Sequence, residues 1–93
     1  MVDAVMQHLI CLEGDHHTRV QHCSEELAEL VVALSHHRRH RPGSRYEVIE
    51  ELADVLLTVR GVVLALGVED AVEEHMHLKL DKLKEEFHYV DAA

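Results

Sequence analysis

Two short runs hold the residues best able to do chemistry: Glu25, Glu26 and Glu29 in the first, Glu51 and Asp54 in the second. On a helix, residues three apart are surface neighbours, so Glu26 with Glu29 and Glu51 with Asp54 each form a pair of carboxylates. Such pairs repel until a cation joins them, and an oxygen-only set without cysteine suits Mg²⁺, or Mn²⁺ in its place. Asp54 is the telling member. It interrupts the stretch from Leu52 to Val68, in which every residue is apolar or Gly except Asp54, Thr58 and Arg60. A lone carboxylate buried there would cost on the order of several kcal/mol unless paired or metal-bound. The bland description of any one of these acids is a solvated helix face, but two acidic pairs, one inside an apolar run, favour a site.

Other residues attract attention and carry less. His36, His37 and His40 could share a transition metal, yet Arg38, Arg39 and Arg41 stand among them and would repel a cation, so this segment reads as a solvated helix end. No spacing rule gives His16 or His17 a role. Lys79 and Lys82 lie one turn apart beside Asp81, Glu85 and Glu86 and, as bare sequence, are solvated charges. Cys11 and Cys23 do not form a CxxC pair and read as small buried hydrophobes. No GxxxxGK[ST] loop or GxGxxG turn occurs, which excludes the common phosphate-cradling loops. Tyr46, Phe87 and Tyr89 are too few for a stacking platform.

Four helices must position the acids. A short first helix, about Asp3 to Leu12, stops at Glu13-Gly14-Asp15. The second starts near Asp15 or Thr18, with Val20, Cys23, Leu27, Leu30, Val31 and Leu34 tracing one face, and ends in the basic run 36–41. Pro42-Gly43 breaks the chain, and Ser44 with Glu47 forms a capping box that opens the third helix, which Gly67 ends. The apolar character of this helix predicts burial around most of its circumference. The fourth, about Glu69 to Val90, carries a packing seam at Val72, Met76, Leu80, Leu83, Phe87 and Val90. Antiparallel packing of the second and third helices would bring the two carboxylate pairs together.

Composition agrees. Ninety-three residues allow one domain, spanning 1–93, and 47% apolar content with few aromatics calls for an aliphatic, all-α core. Eighteen acidic against nine basic residues give a formal charge of −9, which disfavours a nucleic-acid polymer as partner and suits both solubility and the gathering of divalent ions. No segment reaches the about 20 apolar residues of a membrane helix. Without a disulfide framework or a leader-like opening, the expected setting is a reducing cytoplasm.

The segment Glu25-Glu26-Leu27-Ala28-Glu29 followed by Glu51-Leu52-Ala53-Asp54 resembles the EExxE…ExxD signature of the MazG-like, all-α nucleoside triphosphate pyrophosphohydrolases. The similarity runs from about Val20 to Phe87 and takes in the Val48–Val55 block and the Lys79–Leu83 stretch. It implies a compact helical bundle of one short and three long helices completed by dimerisation. It also implies Mg²⁺-dependent cleavage of a nucleotide between the α and β phosphates, giving a monophosphate and pyrophosphate. Carried over residue by residue, it makes Glu26, Glu29, Glu51 and Asp54 metal ligands. Glu25 goes to a second metal or to the attacking water, and Lys79 and Lys82 to the phosphate chain. Leu83, Glu85 and Glu86 depart from the basic and polar residues that follow these lysines in some relatives.

The expected function is therefore hydrolysis of a (d)NTP by a homodimer or homotetramer. The phosphoribosyl-ATP enzyme of histidine synthesis belongs to the same helical superfamily, and spacing does not choose between these substrates. Two non-enzymatic alternatives are an interaction module built on the fourth-helix seam and a histidine-rich metal buffer preferring Ni²⁺ or Zn²⁺.

Overall fold

The computed structural model describes residues 3–6, 16–88 and 90. Among them every regular element is a helix: α1 (residues 3–6), α2 (His16–Arg38), α3 (Ser44–Leu66) and α4 (Glu69–Glu86). One short and three long helices make up the all-α architecture expected from the sequence. The remainder of the predicted first helix, with Cys11 and the stop at Glu13-Gly14-Asp15, lies outside the described residues, as does Tyr89.

The two central helices form a hairpin closed by residues 39–43. Arg41 N–H donates to the His36 carbonyl (3.1 Å) and His40 N–H to that of His37 (3.0 Å), while His40 takes a left-handed φ of 58°. This is the six-to-one helix stop usually built on glycine, here made by a residue with a Cβ at a cost of about 1 to 2 kcal/mol. Gly43, at φ 75°, then precedes α3.

The predicted capping box does not form. No side chain caps α3, and Ser44 lies inside the helix because Gly43 turns the chain one residue earlier. The Ser44 hydroxyl lies 3.2 Å from His37 Nδ1 instead, and His36 Nδ1 donates to the Glu47 carboxylate at 2.9 and 3.1 Å. Both intended caps thus clasp α3 to the end of α2. Gly67 ends α3 as expected: at φ 65° its N–H reaches Leu64 O, and Val68 N–H reaches Val63 O.

Packing is uneven. The α2 and α3 helices pack closely on each other, burying Cys23 and Ala33 from one and Val55 and Gly61 from the other. Met6 of α1 is buried, and Arg60 donates to both oxygens of Asp3 (2.8 and 2.6 Å), tying α1 to α3. That contact holds the Asp3 carboxyl below its usual range. By contrast α4 meets α3 at few places and buries none of its residues. Its seam residues Val72, Met76, Leu80, Leu83 and Phe87 are all exposed, as is Val90 beyond them, with Leu80 at 52% and Phe87 at 73%.

Burial of α3 around most of its circumference is therefore not what a single chain achieves. Leu52, Leu56, Leu57 and Val59 remain exposed, and α4 approaches Leu56 and Val59 only across an open hollow that Val72, Met76 and Leu80 also line. The radius of gyration is 16.6 Å, against about 12 Å for a compact chain of this length. The accessible surface is 7518 Å², whereas a compact 10.6 kDa chain exposes about 5,500 Å². No described helix is long and apolar enough to cross a membrane.

Candidate metal centre and its cavity

Heptad arithmetic decides which side chains meet across the hairpin. Arg19 and Glu26 are two turns apart on α2, Asp54 and Gly61 two turns apart on α3, and Thr58 lies one turn from Asp54. The hairpin sets these faces against each other. Glu26 from α2 and Glu51 and Asp54 from α3 each bring a carboxylate oxygen within 4.8 Å of the other two. Among the described residues this is the one group of three such side chains placed to share an ion. The histidine cluster makes no comparable group, since His36 and His37 turn to Glu47 and Ser44.

The remaining predicted residues divide. Glu29 is not one of the three, but it borders them closely enough that its charge acts on both Glu26 and Glu51. Glu25 stands outside this group, 62% exposed, lining a neighbouring hollow with an oxygen 3.9 Å from His22 Nδ1. Lys79 and Lys82 are exposed on α4; Lys79 borders a separate hollow with Ala71, Val72, His75 and Met76, away from the carboxylates. Asp54 is exposed in the single chain rather than buried, because its side of α3 opens onto a cavity.

Crowding shows in the electrostatics. Burial first, then the charges of Glu29 and Asp54, pushes the Glu26 carboxyl above its ordinary value, with His22, 3.8 Å away, opposing. Burial and then Glu29, Glu26 and Asp54 do the same to Glu51. Glu26 and Glu51 thus hold protons more tightly than free carboxylates do.

Whether a cation fits can be tested on the atoms. Oε2 of Glu26 and Oε2 of Glu51 are both buried without a hydrogen-bond partner, an arrangement that costs free energy unless something positive reaches them. With Asp54 they make an all-oxygen donor set, the chemistry of Mg²⁺ and Mn²⁺ sites. The residues fit a hard divalent ion.

Beside the cluster lies a cavity of about 280 Å³ bounded by Met6, Arg19, His22, Glu26, Asp54 and Thr58, among others. A second, of about 450 Å³, is lined by Thr18, Arg19, Gln21, His22, Glu25 and Thr58. They share Arg19, His22 and Thr58, so the two hollows adjoin at the start of α2. The sequence reading singled out none of these three. Heptad spacing from Glu26 and Asp54 was the available signal for Arg19 and Thr58.

A family model described as phosphoribosyl-ATP pyrophosphohydrolase matches residues 10–88, most of the chain and all five acids of the two runs. No curated protein and no solved structure matches the chain.

Proposed function

The chain belongs to the phosphoribosyl-ATP pyrophosphohydrolase family, and from that premise we propose that it is a Mg²⁺-dependent hydrolase of the α–β phosphoanhydride bond of a nucleotide. Family membership makes it a pyrophosphate-hydrolysing enzyme with a nucleotide substrate. The family's description makes phosphoribosyl-ATP the substrate to assay first, and (d)NTPs offer the same bond. The observation that carries the metal dependence is the meeting of Glu26, Glu51 and Asp54 with two buried, unpartnered oxygens.

Glu26, Glu51 and Asp54 would hold the ion, with Glu29 completing the set. When bound, such an ion offsets phosphate charge and makes water more acidic. The chain's own contribution is to keep the donors fixed on two clasped helices, and to present Glu25 on the cavity side. There Glu25 can orient a water for attack and accept its proton. Products are a monophosphate and pyrophosphate.

Assembly belongs to the same reading. A single chain exposes roughly 2,000 Å² more than a compact protein of its mass, the scale each partner contributes to a permanent interface. Covering α3 and α4 with a second copy would bury the seam and could carry Lys79 and Lys82 to a neighbouring site. A reducing cytoplasm suits the free, buried Cys23 thiol. The test is a panel of phosphoribosyl-ATP and canonical (d)NTPs assayed for pyrophosphate and monophosphate, with and without Mg²⁺. Release of both products only with the ion is expected; a folded protein inert on every triphosphate would overturn the proposal.

A further inference from the structure

Charge balance around the carboxylates leaves a need that the acids cannot meet. A triphosphate brings about four negative charges to a wall that is already acidic, and a bound ion offsets only part of them. Among the described residues lining the two adjoining cavities, Arg19 is the one Lys or Arg side chain. It reaches both spaces: the one bordered by Glu26 and Asp54, and the larger one bordered by Thr18, Gln21 and Glu25. The flat fork of a guanidinium matches two oxygens of one phosphate group.

How Arg19 is seated explains an otherwise unfavourable residue on α3. Gly61 is buried in the middle of a long helix, where glycine costs about 1 kcal/mol relative to alanine. A Cβ there would lie 2.9 Å from Arg19 Nη1 and 2.8 Å from Met6 Cε, closer than such atoms come. The missing side chain is therefore a notch that receives the tip of Arg19, with Met6 packed beside it. Two turns separate Gly61 from Asp54, as two turns separate Arg19 from Glu26, so notch and guanidinium meet on the faces that carry the carboxylates.

We propose that Arg19, seated in the Gly61 notch, binds a phosphate group of the nucleotide within the same chain that supplies the carboxylates, Gly61 being its positioning residue. This rests on the pyrophosphohydrolase reading and adds to it a phosphate contact that does not depend on Lys79 or Lys82.

The test compares wild type with Arg19→Gln and Gly61→Ala, measuring nucleotide kinetics, calorimetric binding of Mg²⁺ alone, and binding of inorganic pyrophosphate with Mg²⁺ present. Arg19→Gln removes the charge and should raise KM, and weaken pyrophosphate binding, by roughly 10- to 100-fold. Mg²⁺ alone should bind as well or more tightly, because a repelling cation has gone. Gly61→Ala keeps every charge while forcing the ends of Arg19 and Met6 to shift. It should raise KM several-fold with helicity and Mg²⁺ binding retained, a split that a purely structural Arg19 would not produce. Should Arg19→Gln fail to fold, Gly61→Ala decides alone. Unchanged KM and pyrophosphate binding in the folded variants would overturn the role of Arg19 and leave the enzyme reading standing. A wild type inert on every triphosphate would overturn both.

Discussion

The α2–α3 hairpin and helix α4 carry similar patterns, apolar residues at steps of three and four with acids between, yet they end differently. The hairpin finds its partner inside the chain: Ala33, Cys23 and Val55 are buried, and His36 and His37 fasten its closed end to Glu47 and Ser44. Helix α4 buries nothing and leaves Met76, Leu80 and Phe87 in solvent. The difference separates two duties. On the proposed function, fixed geometry for an ion would come from donors on two helices that hold each other, as the hairpin's do, and the uncovered seam would be the surface offered to a second copy.

The largest expected effect lies on the hairpin side. Asp54→Asn or Glu51→Gln should lower turnover by about 1,000-fold, since the ion is worth several kcal/mol in the transition state. Circular dichroism should show the fold retained, and the metal-free melting temperature should hold or rise as repulsion is relieved. Equal losses of fold and activity would erase the distinction between the two regions. On the α4 side, Leu80→Glu should weaken self-association by at least about 30-fold, shown by sedimentation as a shift to monomer with helicity retained. An unchanged mass would mean that the seam is not the interface.

Acidity gives a smaller, signed effect. Glu26 and Glu51 titrate above their ordinary value of 4.5 in the folded chain, so the native state binds more protons than the unfolded one between that value and the raised ones. Metal-free stability contributed by these groups is therefore fully present below pH 4.5 and lost as pH rises through the folded values, while Mg²⁺ affinity runs the opposite way. Thermal melts across pH 4.5 to 7.5, with and without Mg²⁺, check both signs. The smallest change is at the hairpin closure. His40→Gly should add about 1 kcal/mol by removing a Cβ from the left-handed region, read by denaturant unfolding.

What the sequence made legible was local or periodic. Three-residue spacing placed Glu26, Glu51 and Asp54 on facing stripes, and Gly67 announced its own helix stop. Ser44 and Glu47 were misread as a cap because a capping box is a local pattern, while their actual partners, His36 and His37, come from the other helix. Asp54 was expected to be buried because α3 is apolar nearly all round; what leaves it exposed is the cavity between α1, α2 and α3, a tertiary gap that no window of sequence records. Arg19 and Gly61 were invisible for a related reason. A single arginine and a mid-helix glycine have no signature until the hairpin sets one against the other.

The most direct measurement is a calorimetric Mg²⁺ titration of wild type and Asp54→Asn near neutral pH, paired with melting curves. Saturable binding that raises the wild-type melting temperature and vanishes in a folded Asp54→Asn is the expected result. Absence of any Mg²⁺ effect on the folded wild type, or equal binding by both proteins, would contradict a metal centre at Glu26, Glu51 and Asp54.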